Sequence, residues 1–202
     1  MNFHHVAGVL PHLQAPGDFL PHTSPALRAS GESLPDQNDT AIITAGLAGA
    51  FYNSGIHRLH CGELQQAVED FTESLRLAPK FARALNNRGV AREAMGDLQG
   101  AKRDYEFALA ADPELAMAWN NRGLILFKAG NYPGAVSDFS HAVDIDLSYV
   151  NARHNRGVAR CHLGDLEAAV RDFEIVLKLD PACEAARLEL TALRGFCFDM
   201  SG

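Results

Sequence analysis

The chain of 202 residues lacks any apolar run near the roughly twenty residues that a membrane-crossing helix requires, although 47% of it is hydrophobic, enough to bury a core. It is short of positive charge. Eighteen lysines and arginines face 25 acidic residues, a formal net charge of -7, and the basic residues recur together with acidic ones instead of forming a basic face, which disfavours nucleic acid as a partner. Its four cysteines, Cys61, Cys161, Cys183 and Cys197, contain no CxxC pair and fall at unrelated places, so they read as reduced thiols. The start of the chain has no charged stretch followed by an apolar one, and Asp18, Glu32 and Asp36 argue against a mitochondrial presequence. The expected location is therefore cytoplasmic. There is no glycine-rich phosphate loop, no nucleophile with an adjacent base and no isolated carboxylate pair, so no catalytic residue and no cofactor are expected. His57, His60 and Cys61 lie within one helical turn, but no further ligand stands at a fitting spacing; they read as helix-surface residues and no metal is expected.

What the chain does have is a period. Gly55 recurs as Gly89, Gly123 and Gly157, and Gly62 as Gly96, Gly130 and Gly164, each 34 residues on. Four blocks result, 48–81, 82–115, 116–149 and 150–183. Helical hydrophobic spacing within each block predicts a stack of helical hairpins, all-α, rather than a closed globule. Gly55, Gly89, Gly123 and Gly157, with Ala67, Ala101, Ala135 and Ala169, form small-residue columns where two helices would cross closely. Phe71, Tyr105, Phe139 and Phe173, and the column Leu64, Leu98, Tyr132 and Leu166, are the expected core. Gly62, Gly96, Gly130 and Gly164 should end the first helix of each pair, with Asp97, Asn131 and Asp165 capping the second and Glu63 a poorer cap. Pro133 fits near the first position of its helix. Pro79, Pro113 and Pro181 close their repeats, whereas Leu147 leaves the third turn less sharply defined.

Segments such as Trp119-Asn120-Asn121-Arg122-Gly123, followed by Gly130, Tyr132, Ala135, Phe139 and Ala142, resemble tetratricopeptide repeats, and the resemblance covers about two-thirds of the chain in four tandem copies. It implies an α-solenoid, a right-handed superhelix of antiparallel helix pairs, whose first helices line a concave groove that receives a peptide or helix of a partner protein. One departure is Arg153, which stands where Phe51, Leu85 and Trp119 supply a bulky apolar group and leaves the packing at the start of the fourth repeat open.

Under that geometry the groove is lined by Tyr52, Ile56 and Leu59, then Asn86, Val90 and Glu93, then Asn120, Leu124 and Phe127, then His154, Val158 and Cys161. Ile56, Val90, Leu124 and Val158 form an apolar stripe suited to hydrophobic side chains, with self-cover by another segment or another copy as the competing reading. Asn53, Asn87, Asn121 and Asn155 recur at the same period. In the similar repeats of kinesin light chains and the O-linked N-acetylglucosamine transferases, asparagines at this place form a ladder along the groove, and an amide can donate to and accept from a peptide backbone at once. The alternative is that these amides bond neighbouring helices or face water. Arg88, Arg122 and Arg156 keep step with Asp104, Asp138 and Asp172 and read as structural pairs; Asp70 has Ser54 where its arginine should be. Relatives that grip acidic chaperone tails carry a basic carboxylate clamp, whereas the matching places here hold Tyr52, Met117 and Asn121, or Asn86, Asn151 and Asn155. The clamp is missing, which disfavours such a tail.

Residues 1–38 hold five of the nine prolines and four of the nine histidines without a helical or strand period, and are expected to be disordered. The repeats occupy 39–183, with the first helix starting near Asp39 or Thr40. Over 184–202, Ala185, Leu188, Ala192 and Leu193 stand at helical spacing for a capping helix, followed by an apolar tail of Phe196, Cys197, Phe198 and Met200 expected to pack back. The sequence thus reads as a non-catalytic interaction module or scaffold for another protein. Self-assembly through its groove or ends as a homo-oligomer, or service as the regulatory partner of a separate enzyme, are the alternatives.

Overall fold

The computed structural model of the protein describes residues 37–199, with side chains described over 40–195. Among the described residues there are nine helices and no strand: α1 (Gln37–His60), α2 (Leu64–Leu77), α3 (Ala82–Ala94), α4 (Leu98–Ala111), α5 (Ala116–Lys128), α6 (Tyr132–Ile145), α7 (Val150–Leu163), α8 (Leu166–Leu179) and α9 (Glu184–Asp199). The described residues fall in two compact units that divide between Asp112 and Pro113, one with α1–α4 and the other with α5–α9. No helix among the described residues is long and apolar enough to cross a membrane. The expected disorder of the first residues lies outside the described part, except that Gln37 and Asn38 already belong to α1, which starts two or three residues before Asp39 or Thr40.

Each helix pair is punctuated by the same backbone device. Gly62, Gly96, Gly130 and Gly164 take φ of 78°, 87°, 76° and 77°, a left-handed conformation that a side chain resists. The following N–H bonds back to the carbonyl five residues earlier, as Asp97 to Arg92 at 2.9 Å and Asn131 to Leu126 at 2.9 Å. The Asp97, Asn131 and Asp165 side chains then accept from Gly100, Gly134 and Ala168 N–H, so each opens its helix, while Glu63 makes no such bond. Pro133 lies in the first turn of α6. The turn at Leu147 is better defined than its missing proline suggests. Asp146 accepts from both the backbone N–H (2.9 Å) and the hydroxyl (2.6 Å) of Ser148, and this local ring replaces the proline's constraint.

The helices of a pair meet glycine against ring. A Cβ added at Gly55, Gly89, Gly123 or Gly157 would come 2.6–2.8 Å from Phe71, Tyr105, Phe139 or Phe173, so only hydrogen fits where these crossings sit. The four rings are fully buried, each stabilising the fold by about 1.5–3 kcal/mol. Of Leu64, Leu98, Tyr132 and Leu166 none is fully buried: Leu98 is exposed and the other three are half-buried, Leu166 against the cluster of Phe173 and Val176, because each is the first residue of its helix, at the edge of the pair. The cover on the last repeat also differs in register from the expected one. Of the expected Ala185, Leu188, Ala192 and Leu193 only Leu193 is buried; with Ala186 and Leu190 it forms the buried face of α9, packed with Phe173 and Val176, while the other three are exposed. Residues 196–199, expected as a separate tail, continue α9.

Candidate functional site

The first helices of the repeats are α1 and α3 in one unit and α5 and α7 in the other, and in each unit they touch. In the first unit the Asn86 amide donates to the Asn87 carbonyl oxygen (3.1 Å), and the Asn87 amide donates to the Tyr52 hydroxyl (3.2 Å). The second unit repeats this geometry. The Asn120 amide donates to Asn121 (3.3 Å), and the Asn155 amide donates to the Asn120 oxygen (3.0 Å). The rung therefore runs from the asparagine column of one repeat to the preceding column of the repeat before. Asn53, Asn87, Asn121 and Asn155 are all buried, as are Tyr52, Asn86 and Asn120. The column at Tyr52, Asn86 and Asn120 was taken from the sequence as groove lining, and nothing in its periodicity marked it as the acceptor for the asparagines.

The apolar stripe is mostly below the surface too. Ile56, Val90 and Leu124 are buried, and Val158 is half-buried. Leu59 and Cys161 are buried, and Glu93, also buried, accepts from the Tyr105 hydroxyl at 2.9 Å. Burial, reinforced by Glu93, holds the Tyr105 phenol well above its usual range. Burial likewise pushes the Cys161 thiol up to about 11, with Glu189 adding to it, so it is no nucleophile at neutral pH. The accessible part of the predicted set is Phe127, His154 and Val158 on α5 and α7. Phe127 belongs to an aromatic group in which Tyr132 stacks on His162 (4.4 Å) and Phe127 meets the His162 ring edge-on (5.2 Å). His154 packs against Phe173 at 5.5 Å, and its Nε2 is buried without a hydrogen bond. Burial lowers its pKa, opposed by a bond to Asn155.

The arginine and aspartate columns are pairs of structure. Arg88 grips Asp104 at 3.0 and 2.8 Å, Arg122 grips Asp138 at 2.7 and 2.8 Å, and Arg156 grips Asp172 at 3.0 and 2.7 Å, all bidentate. Asp70, lacking that partner, is met by Arg58 at 3.0 Å. Arg153 solves its misfit by turning polar. It donates to the Leu147 carbonyl (3.1 Å) and approaches Asp172 (3.9 Å), while Arg160 binds the same carboxylate at 2.6 Å. Burial and the neighbouring Arg156 lower the Arg153 pKa. His57 and Cys61 lie 3.7 Å apart at the exposed end of α1, and among the described residues no group of three potential ligands forms.

The tetratricopeptide repeat profile matches residues 52–101 and 91–148. No curated protein matches the chain. Among solved structures, the second such domain of human RPAP3, in complex with the HSP70 peptide SGPTIEEVD, is 34% identical with a TM-score of 0.53, over 56% of this chain and 94% of its own. The first domain of Spaghetti (RPAP3), bound to the HSP90 peptide SRMEEVD, is 32% identical with a TM-score of 0.56, over 57% and 92%. MamA from Desulfovibrio magneticus RS-1 (41-end) shares the fold at 22% identity and a TM-score of 0.67, over 75% and 86%. With the glycine-to-ring crossings, the left-handed glycine caps and the 34-residue period all present, the chain belongs to the tetratricopeptide repeat family.

Proposed function

We propose that this chain is a non-catalytic interaction module that holds a peptide or helix of another protein against its first helices. The observation that carries the reading is the half-buried trio Phe127, His154 and Val158, which shares α5 and α7 with the rung Asn155–Asn120. Asn120, Leu124 and Phe127 are spaced i, i+4, i+7, as one helix face requires, and His154 and Val158 are four apart on the other helix. Within the second unit the buried Asn121 and Asn155 share α5 and α7 with this face; in the first unit Tyr52, Asn53, Ile56, Asn86, Asn87 and Val90 are the matching columns of α1 and α3. A ligand with apolar side chains fits this face. The RPAP3 domains are bound to peptides ending in EEVD, whereas the matching clamp places here carry the uncharged Tyr52, Met117 and Asn121, or Asn86, Asn151 and Asn155, which disfavours a strongly acidic peptide.

The test is affinity capture from native lysate with the wild type beside Phe127→Ser/Val158→Asp. Specific partners should disappear while the thermal midpoint of the variant stays within a few degrees of wild type. Partners retained by a folded variant would remove this face from consideration. One observation favours a second reading: Ile42, Ile43 and Leu47 are exposed on the leading part of α1, an apolar surface suited to self-assembly. Light scattering on Ile43→Lys/Leu47→Lys decides it, since an oligomer held there would fall to monomer.

A further inference from the structure

Repeats two and three differ at one place in a way that leaves a gap. In the third repeat the Trp119 indole donates to the Pro113 carbonyl (2.8 Å), stacks on His141 (4.3 Å between ring centres, 11° between planes) and lies under the Arg122 guanidinium (4.8 Å). It fills the space between the turn and the second helix. The counterparts 34 residues earlier are Pro79, Leu85, Arg88 and Phe107. Leu85 is too short to span that space, and an open cleft of about 410 Å³ remains, walled by Phe107, which is 61% exposed, and by Ala110 and Ala111. Two charged groups line it, Lys80 and Arg88, both cationic in a chain of net charge -7. Arg88 is held by Asp104, so Lys80 is the cation at the mouth.

We propose that this cleft is the docking site of the chain's own Asp18-Phe19-Leu20 segment, an interaction independent of the face described above. The occupant must bring an aromatic group, since an indole fills the same space one repeat later, and a carboxylate beside it for Lys80. Within residues 1–36, Asp18-Phe19 is the one place where an acid directly adjoins an aromatic residue. The tether fits. Leu75, which lines the cleft, follows Ser74, whose hydroxyl bonds the Ala48 carbonyl of α1 at 2.8 Å. Gln37 lies about 16 Å along α1 from Ala48 at 1.5 Å per residue. The residues 21–36 between Leu20 and Gln37 span at most about 55 Å, so Asp18-Phe19-Leu20 can reach the cleft within one chain. Asp18 pairs with Lys80, and Phe19 and Leu20 cover Phe107 and Leu85.

The experiment places p-benzoylphenylalanine at position 19 of the full chain and maps the photochemical insertion by mass spectrometry. Insertion is expected within one chain, into 79–85 or 107–111, with a yield independent of protein concentration. Leu85→Trp, which fills the cleft from inside as Trp119 does, should lower the yield several-fold. Lys80→Glu should lower it too, and Asp18→Lys combined with Lys80→Glu should restore it, which separates docking from misfolding. Insertion elsewhere in the chain, insertion between two chains, or a yield indifferent to both cleft substitutions overturns the assignment.

Discussion

Asp172→Asn is expected to cost far more stability than the same change at Asp70, its counterpart in the first repeat. The Asp172 side chain is 2% exposed and receives Arg156 at 2.7 Å and Arg160 at 2.6 Å, with Arg153 at 3.9 Å. Neutralising it keeps the shape and leaves three guanidiniums facing one another. Two of them, on Arg153 and Arg156, are only 9% and 11% exposed, so water cannot replace the lost partner. Removing one member of a buried pair costs about 3–5 kcal/mol, and the excess positive charge places this site in that range. Asp70 occupies the same column in the first repeat and supplies the internal control. It meets the single Arg58 at 3.0 Å, and that arginine is 35% exposed and screened, so Asp70→Asn should lose roughly 1 kcal/mol or less. Urea unfolding followed by circular dichroism gives both losses from the midpoints at common slope. Hydrogen exchange should place the Asp172→Asn damage in α7 and α8. The reasoning fails if Asp172→Asn costs no more than Asp70→Asn.

Two glycines in helices should respond oppositely to alanine. Gly123→Ala forces a Cβ to 2.7 Å from Phe139 and should lose about 1–3 kcal/mol, whereas Gly46→Ala meets nothing within 4 Å and should gain about 0.5–1 kcal/mol, both read from denaturant midpoints. Asp97→Ala removes the acceptor of the Gly100 N–H and should cost about 1 kcal/mol, while Glu63→Asp should gain part of that amount by supplying the missing cap, measured in the same way. His154, half-buried against Phe173, has a folded pKa below its unfolded value near 6.5, so the unfolded chain binds the extra proton first. Stability should be full above that value and fall as pH drops below it toward the depressed pKa, by at most about 1.4 kcal/mol per pH unit from this group. His154→Gln should flatten that portion of the curve of stability against pH, and an unchanged slope would exclude His154 as its source.

The fold was legible because its determinants are periodic and local. A glycine that must accept a ring, and a glycine that must take positive φ, announce themselves by recurring at 34 residues, and Asp97, Asn131 and Asp165 declare their helix starts by position alone. The errors came where rotation about a helix axis decides the answer. The column of Leu64 and Leu98 and the face of α9 were each assigned from spacing, which fixes a stripe but not which stripe is turned inward. The candidate face was legible as columns and illegible as contacts. That Asn155 would reach Asn120 and that Asn87 would reach Tyr52 depends on the stagger between neighbouring first helices, a quantity that no single repeat encodes.

The rungs bear on where recognition can reside. A buried amide pair is inexpensive while both members are present and costly once one is lost, so a rung repeated in each unit fixes the register of adjacent repeats. A device that recurs in both units cannot by itself tell one ligand from another. Discrimination must come from columns in which the repeats disagree. Leu59, Glu93, Phe127 and Cys161 share one such column, and Phe51, Leu85, Trp119 and Arg153 share another. In the first, Phe127 is the member left half-exposed; in the second, Leu85 is the member that leaves a space its neighbour fills with an indole. The two surfaces proposed for binding thus fall, each within its own unit, where the scaffold departs from its own pattern.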